Sequence, residues 1–136
     1  GGGSQRNAIP FYRLPNLNAA LGCAQLEQLE GFIAAKRTLA ARYAEVLAGS
    51  ALQFFHEPAG CRSNYWLNAV ICESPEQRDA LIKTTNAQGV MTRPIWHLMN
   101  HLPIYAHCRK GDLRNAEWLE ARVVNLPSSV LPEFDA

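Results

Sequence analysis

The sequence predicts an α/β (α+β) domain with a small mixed or antiparallel sheet packed with helices. Three observations carry this. Apolar residues recur at helical spacing from Leu14 to Leu47, an alternating run spans Asn64 to Cys72, and a helix-start signature follows at Ser74-Pro75-Glu76-Gln77. Runs of helix and strand in this order build one layered domain.

The elements follow in chain order. Pro15 suits a first helical turn, where its missing N–H is not needed. Leu17, Leu21 and Ala24, then Leu26, Leu29 and Ile33, then Leu39, Tyr43, Val46 and Leu47 continue the spacing. Gly22 and Gly31 interrupt it, and the apolar stripe changes face near Gly31, so two helices or one bent helix are expected, ended by Gly49-Ser50. Leu52 to His56 reads as a short strand. Asn64 to Cys72 reads as a central one, because both alternating sets are largely apolar. Ser74 caps a helix to about Gln88, stopped by Gly89. Val90 to Ile95 reads as a strand that Pro94 confines to an edge or an end. Leu98 to Cys108 reads as one or two helical turns, Asp112 as the cap of a helix through Arg122, and Val123 to Leu126 as a last strand.

Composition narrows the function. With 136 residues, the chain fits one domain that folds without disulfide or metal. Its 48% apolar content excludes disorder. A net charge of +1 gives no electrostatic case for nucleic acid or an anionic membrane. No apolar run reaches the ~18 residues of a membrane span. Residues 1–10 read as a linker or tail, with Gly1 to Ser4 as an expression linker and no secretion signal after it. Residues 11–136 read as the folded domain. Cys23, Cys61, Cys72 and Cys108 form no CxxC pair, so they are expected reduced and buried in a cytoplasmic protein. Charged residues make up only 18%, against about 25% in an average domain, so part of the surface is expected to meet a partner.

Few residues announce chemistry. Arg93-Pro94-Ile95-Trp96-His97 is the densest polar-aromatic cluster. An arginine at a strand end can hold a carboxylate or phosphate bidentately, or can simply be solvated. Without more converging donors, Arg93 is expected to be structural or exposed. His97 and His101 are four apart and would share a helix face, which allows two metal ligands, although no third is evident and no metal site is assigned. Lys36 and Lys83 fall on polar helix faces and Lys110 in a loop, none in the apolar, strand-associated setting of a Schiff-base lysine. Ser128-Ser129 lacks a nucleophile elbow, and no Gly-rich phosphate loop is present. No self-contained catalytic set emerges.

One string goes further. Tyr12-Arg13-Leu14-Pro15-Asn16-Leu17-Asn18-Ala19-Ala20-Leu21-Gly22-Cys23-Ala24-Gln25-Leu26 closely resembles a segment of the DegT/DnrJ/StrS sugar-nucleotide aminotransferases. The resemblance continues through Lys36-Arg37 and Ala41-Arg42-Tyr43. It returns at Gly89-Val90-Met91-Thr92-Arg93-Pro94 and at Val123-Val124-Asn125-Leu126-Pro127-Ser128-Ser129, with an ending most like the legionaminic (nonulosonic-acid) branch. It implies the C-terminal small domain of a fold-type I pyridoxal-phosphate aminotransferase acting on nucleotide-linked keto sugars in cell-surface polysaccharide synthesis. In that family the Schiff-base lysine, the ring-stacking aromatic and the aspartate at the pyridine nitrogen precede the Tyr-Arg string. The resemblance therefore implies a truncated domain with no catalytic or cofactor-binding residue of its own and no pyridoxal phosphate held by this chain alone. Phe11 stands where the family carries an asparagine that reaches the cofactor phosphate, and Ile9-Pro10 also departs from the pattern. The strand of Arg93 faces the family's substrate cleft, so the resemblance offers Arg93 and His97 as substrate contacts. Three readings follow: a silent aminotransferase fragment, half of a split enzyme with a separate large-domain chain, or an interaction module derived from the domain. A small metal-binding domain at His97 and His101 is a further alternative. Leu14, Leu17, Leu21 and Phe32 exceed what one small sheet can cover, so a homodimer through the helices of 16–47 is expected.

Overall fold

The computed structural model describes Leu14 to Ser129. The readings for the tail at 1–10, for Phe11 and for Tyr12-Arg13 lie outside the described residues. The chain divides into two compact units, Gly1–Gly31 and Phe32–Ala136.

In the first unit, α1 (Asn16–Glu27) starts from Pro15, whose carbonyl accepts from the Ala19 amide at 2.9 Å. Pro15 thus stands at the cap position, one residue before the first turn. The helix ends at Gln28, not at Gly31. The Gln28 amide closes the last turn on Gln25 and Leu26, and its side chain donates to the Ala24 carbonyl at 3.2 Å. Gly31 lies within the next helix, α2 (Leu29–Leu47).

In the second unit, α2 turns Ala35 and Ala40 inward. Gly49, at φ 76°, ends the turn after it, a conformation that costs glycine least. Four strands follow, with two α-helices among them: β1 (Gln53–Phe54), β2 (Asn68–Ile71), α3 (Pro75–Ala87), β3 (Arg93–Pro94), α4 (Arg114–Glu120) and β4 (Val123–Leu126). Two 3₁₀ turns, Met99–His101 and Pro103–Tyr105, precede α4. The sheet is antiparallel, in the order β1-β2-β4-β3. The order of elements agrees with the sequence reading, and Val123–Leu126 agrees residue for residue.

The core is where α2 and α3 cover the two central strands. Val70 and Val124 are register partners and are fully buried. Ala40, Phe54 and Cys72 complete the buried cluster, with Tyr43, Leu47, Leu81 and Ile82 packed against it. Alanine on α2 lets the helix approach the sheet closely. The two faces of β2 differ: Asn68 and Val70 are buried, Ala69 and Ile71 only half-buried.

The strands are shorter than expected, for local reasons. β2 begins at Asn68 and not at Asn64, because Tyr65 adopts φ 44°, which no strand residue can. β3 holds only Arg93 and Pro94. The preceding residues are drawn toward α3: the Val90 amide donates to the Thr85 carbonyl at 2.9 Å, Asn86 Nδ2 donates to the Thr92 carbonyl at 3.0 Å, and the Thr85 and Thr92 hydroxyls lie 2.6 Å apart. Pro94 sits on an edge strand, as its missing donor requires.

The capping signals need small adjustments. Ser74 Oγ accepts from the Gln77 amide at 3.2 Å, and Gln77 Oε1 accepts from the Glu73 amide at 2.6 Å. Asp112 does not cap α4 directly; Leu113 holds that position. Asp112 instead accepts from the Arg114 amide at 3.0 Å. Of the four cysteines only Cys72 is buried. Cys23, Cys61 and Cys108 are free and exposed, contrary to expectation.

Candidate functional site: an aromatic cleft beside Arg93

The strain at Tyr65 belongs to a built network. Arg37 on α2 grips Glu57 with two donors, Nη2 to Oε1 at 2.7 Å and Nη1 to Oε2 at 2.9 Å. Arg37 Nη1 also donates to the Ser63 carbonyl at 2.7 Å, and the Ser63 amide donates back to Glu57 Oε2 at 2.6 Å. These contacts hold the Glu57 carboxyl down to about 2, with Arg37 the largest cause and the Ser63 amide the next. The Arg37 guanidinium also lies over the Tyr65 ring, 5.7 Å from its centroid, and the Tyr65 hydroxyl accepts from the Glu57 amide at 3.1 Å. A non-glycine residue at positive φ persists only where its surroundings over-determine it, and here they do.

The network positions Trp66. Its amide donates to Asn64 Oδ1 at 3.0 Å, and its carbonyl accepts from Lys36 Nζ at 3.1 Å. The indole itself stays 64% exposed. It stacks on Trp96, equally exposed, with ring centroids 6.1 Å apart and planes 21° from parallel. Arg93, Met91 and Asn125 help to line a cavity of about 340 Å³ beside the pair. That volume suits a small ligand. Arg93 is exposed there and donates from Nη2 to Met91 Sδ at 3.0 Å; it has no carboxylate partner among the described residues. Its guanidinium keeps donors free for an anion.

His97 is not part of this cavity. Its Nδ1 lies 3.1 Å from Glu120 Oε1, while His101 Nδ1 lies 2.9 Å from Glu120 Oε2. The Leu98 amide also donates to Oε1, at 2.9 Å. The two histidines therefore share one carboxylate, across a 3₁₀ turn and not on the face of an α-helix. Burial pushes the Glu120 carboxyl up, but the Leu98 amide and the two histidines outweigh it and hold the group below its ordinary value. Among the described residues no three His, Cys, Asp or Glu side chains are arranged to hold a metal ion. The structure thus separates the two residues that the resemblance offered together: Arg93 lines the cleft, and His97 latches a loop to α4.

Glu120 was missed in the sequence, although a signal exists. It is the last residue of α4, where a carboxylate meets the negative end of the helix dipole, so it calls for an outside partner. Lys36, placed by the sequence on a polar helix face, is half-buried. Its amine donates to the carbonyls of Ser128 at 2.7 Å and Trp66 at 3.1 Å, and burial lowers its pKa. Lys83 and Lys110 are exposed.

Known proteins resemble this chain in sequence and in fold. Over 120 residues the chain is 35% identical to GDP-perosamine synthase of Vibrio cholerae, covering 86% of this chain and 33% of that enzyme. It is 34% identical over 121 residues to GDP-perosamine synthase of Caulobacter vibrioides, again 86% of this chain and 33% of the relative. The chain thus spans about a third of the length of the curated relatives it matches. Its fold superposes on a DegT DnrJ EryC1 StrS aminotransferase from Brucella abortus with a TM-score of 0.77 at 26% identity, over 90% of this chain and 33% of that one. No described helix is long and apolar enough to cross a membrane. The family model matches residues 10–133, and the chain belongs to the DegT/DnrJ/EryC1/StrS aminotransferase family.

Proposed function

We propose that this chain serves as the C-terminal part of a cytoplasmic aminotransferase of nucleotide-linked keto sugars and is catalytically silent on its own. The family carries out pyridoxal-phosphate chemistry, in which the cofactor supplies the electron sink for moving an amino group. The residues present do not fit it as a resident group. A Schiff-base lysine needs a free amine in a desolvated pocket. Lys36 is the one lysine in a partly buried setting, and its amine is spent on two carbonyls. That single observation carries the reading.

The chain's own contribution is the cleft wall. Trp66 and Trp96 offer flat apolar surface, and Arg93 offers a forked cation to a phosphate or carboxylate. The names of the GDP-perosamine synthases support a nucleotide-linked sugar as the substrate class. They carry more weight than the nonulosonic-type ending read near Ser129. The remaining two thirds of a full-length relative would complete the site.

The test is to mix the chain with pyridoxal phosphate, reduce with borohydride and map adducts. The expected result is scattered, substoichiometric labelling of exposed lysines. One stoichiometric adduct with transaminase turnover would overturn the proposal.

A second reading, a stand-alone interaction module, draws on one observation. Leu17, Leu21 and Leu26 of α1 are 80%, 62% and 68% exposed, more apolar surface than a solitary helix keeps in water. On this reading two copies pair through α1 and α2 as a homodimer. Light scattering on a sizing column decides it: a dimer supports pairing, and a monomer of 15.1 kDa removes it.

A further inference from the structure

The stretch from Leu98 to Leu113 lines a second groove, of about 420 Å³, which shares no lining residue with the aromatic cleft. Leu98, Met99 and Leu113 give it apolar walls. Its charged residues, Arg109 and Lys110, are both cations and have no acidic partner among the described residues. Of the acids that follow in sequence, Glu117 makes no ion pair with either cation, and two others are occupied elsewhere. Asp112 accepts from the Arg114 amide at 3.0 Å and from its Nε at 2.8 Å, and Glu120 is taken by Leu98 and the two histidines. A third lining residue, Asn100, has a buried Nδ2 with no acceptor. A buried amide donor without an acceptor is a cost that native structures seldom leave in place. The groove therefore combines positive charge without an acidic partner and an apolar wall.

We infer that this groove binds a small oxyanion carried on an apolar body, a phosphate monoester or a carboxylate. Arg109 and Lys110 take the charge, and Leu98, Met99 and Leu113 cover the body. The site does not depend on the aminotransferase reading, because neither Arg93 nor the tryptophan pair contributes to it.

The experiment titrates the ¹⁵N-labelled full chain with phenyl phosphate, benzoate and inorganic phosphate. Saturable shifts should gather in residues 98–113 with one or both aromatic anions. Inorganic phosphate should bind about tenfold more weakly, because it lacks the body. Arg109→Ala with Lys110→Ala should weaken binding by about tenfold or more, while Arg93→Ala leaves it unchanged. Both cations are exposed, so the double variant keeps its fold, which its amide spectrum will confirm. Cys108 lines the same groove and gives a second readout. In a Cys23→Ser, Cys61→Ser background, its reaction with a thiol reagent should slow when the anion is bound. The inference is overturned by any of three results: no saturable shift up to about 10 mM ligand, an unweakened double variant, or loss of binding in Arg93→Ala, which would put the anion in the aromatic cleft.

Discussion

Lys36 Nζ donates to the Ser128 carbonyl at 2.7 Å across 92 positions of sequence, and the same amine reaches the Trp66 carbonyl at 3.1 Å. Asn68 and Leu126 are register partners at one end of the β2–β4 pair, so Trp66 and Ser128 are the chain continuations there. One helical lysine thus closes that end of the sheet and holds the backbone of the cleft tryptophan. Lys36→Met keeps the aliphatic stem and removes both bonds. It should lower stability by about 1–2 kcal/mol and shift the emission of Trp66. An unchanged urea midpoint would show that the two bonds contribute nothing net.

Glu57 titrates low because Arg37 and the Ser63 amide bind its charged form, which brings it from 4.5 to about 2. A carboxylate whose folded pKa is depressed stabilises the fold at pH above its unfolded value and loses that contribution as pH falls through the folded one. The relevant window runs from about 4.5 down to about 2. Glu57→Gln should be less stable than the parent at neutral pH, and the gap should close as pH falls through that window. Urea midpoints of both proteins across the range check this; a gap independent of pH contradicts it.

Val124 is fully buried opposite Val70 in the two central strands. Val124→Ala leaves a void that the sheet cannot collapse to fill, and it should cost about 2 kcal/mol. The same change at Val46, 79% exposed, should fall within about 0.5 kcal/mol of the parent. Equal effects at the two sites would mean that the core lies elsewhere.

Two glycines should respond to alanine with opposite sign. Neither Gly31 nor Gly89 has a neighbour within 4 Å of an added Cβ, so sterics do not separate them. Gly31 lies inside α2, where alanine gains about 0.5–1 kcal/mol. Gly89 sits at φ 79° after α3, where alanine loses about 1 kcal/mol. Thermal unfolding of the two variants should move in opposite directions.

The cleft was half legible in the sequence. Arg93 and Trp96 stand in one dense cluster, and Pro94 marked their strand as an edge. Trp66 lies 30 residues away from Trp96, in what reads as a central strand, and only the left-handed turn at Tyr65 takes it out of the sheet and onto Trp96. Nothing in Ser63-Asn64-Tyr65 calls for that turn. It is imposed by Arg37 and Glu57, whose meeting requires the folded chain.

The sequence by itself determined the order of the elements, the capped start of α3, the stops at Gly49 and Gly89 and the bounds of β4. Each of these rests on chemistry within a few residues: a hydroxyl reaching a nearby amide, a glycine accepting positive φ, or alternation along one strand. Family membership was legible for a related reason, being carried by one continuous string. The tertiary structure alone decided where β2 and β3 begin, that Lys36 is tied to two carbonyls, and that His97 and His101 share Glu120. Those outcomes depend on which distant backbone carbonyl or carboxylate arrives beside a side chain. Periodicity tells which face a residue occupies but not what will be packed against it.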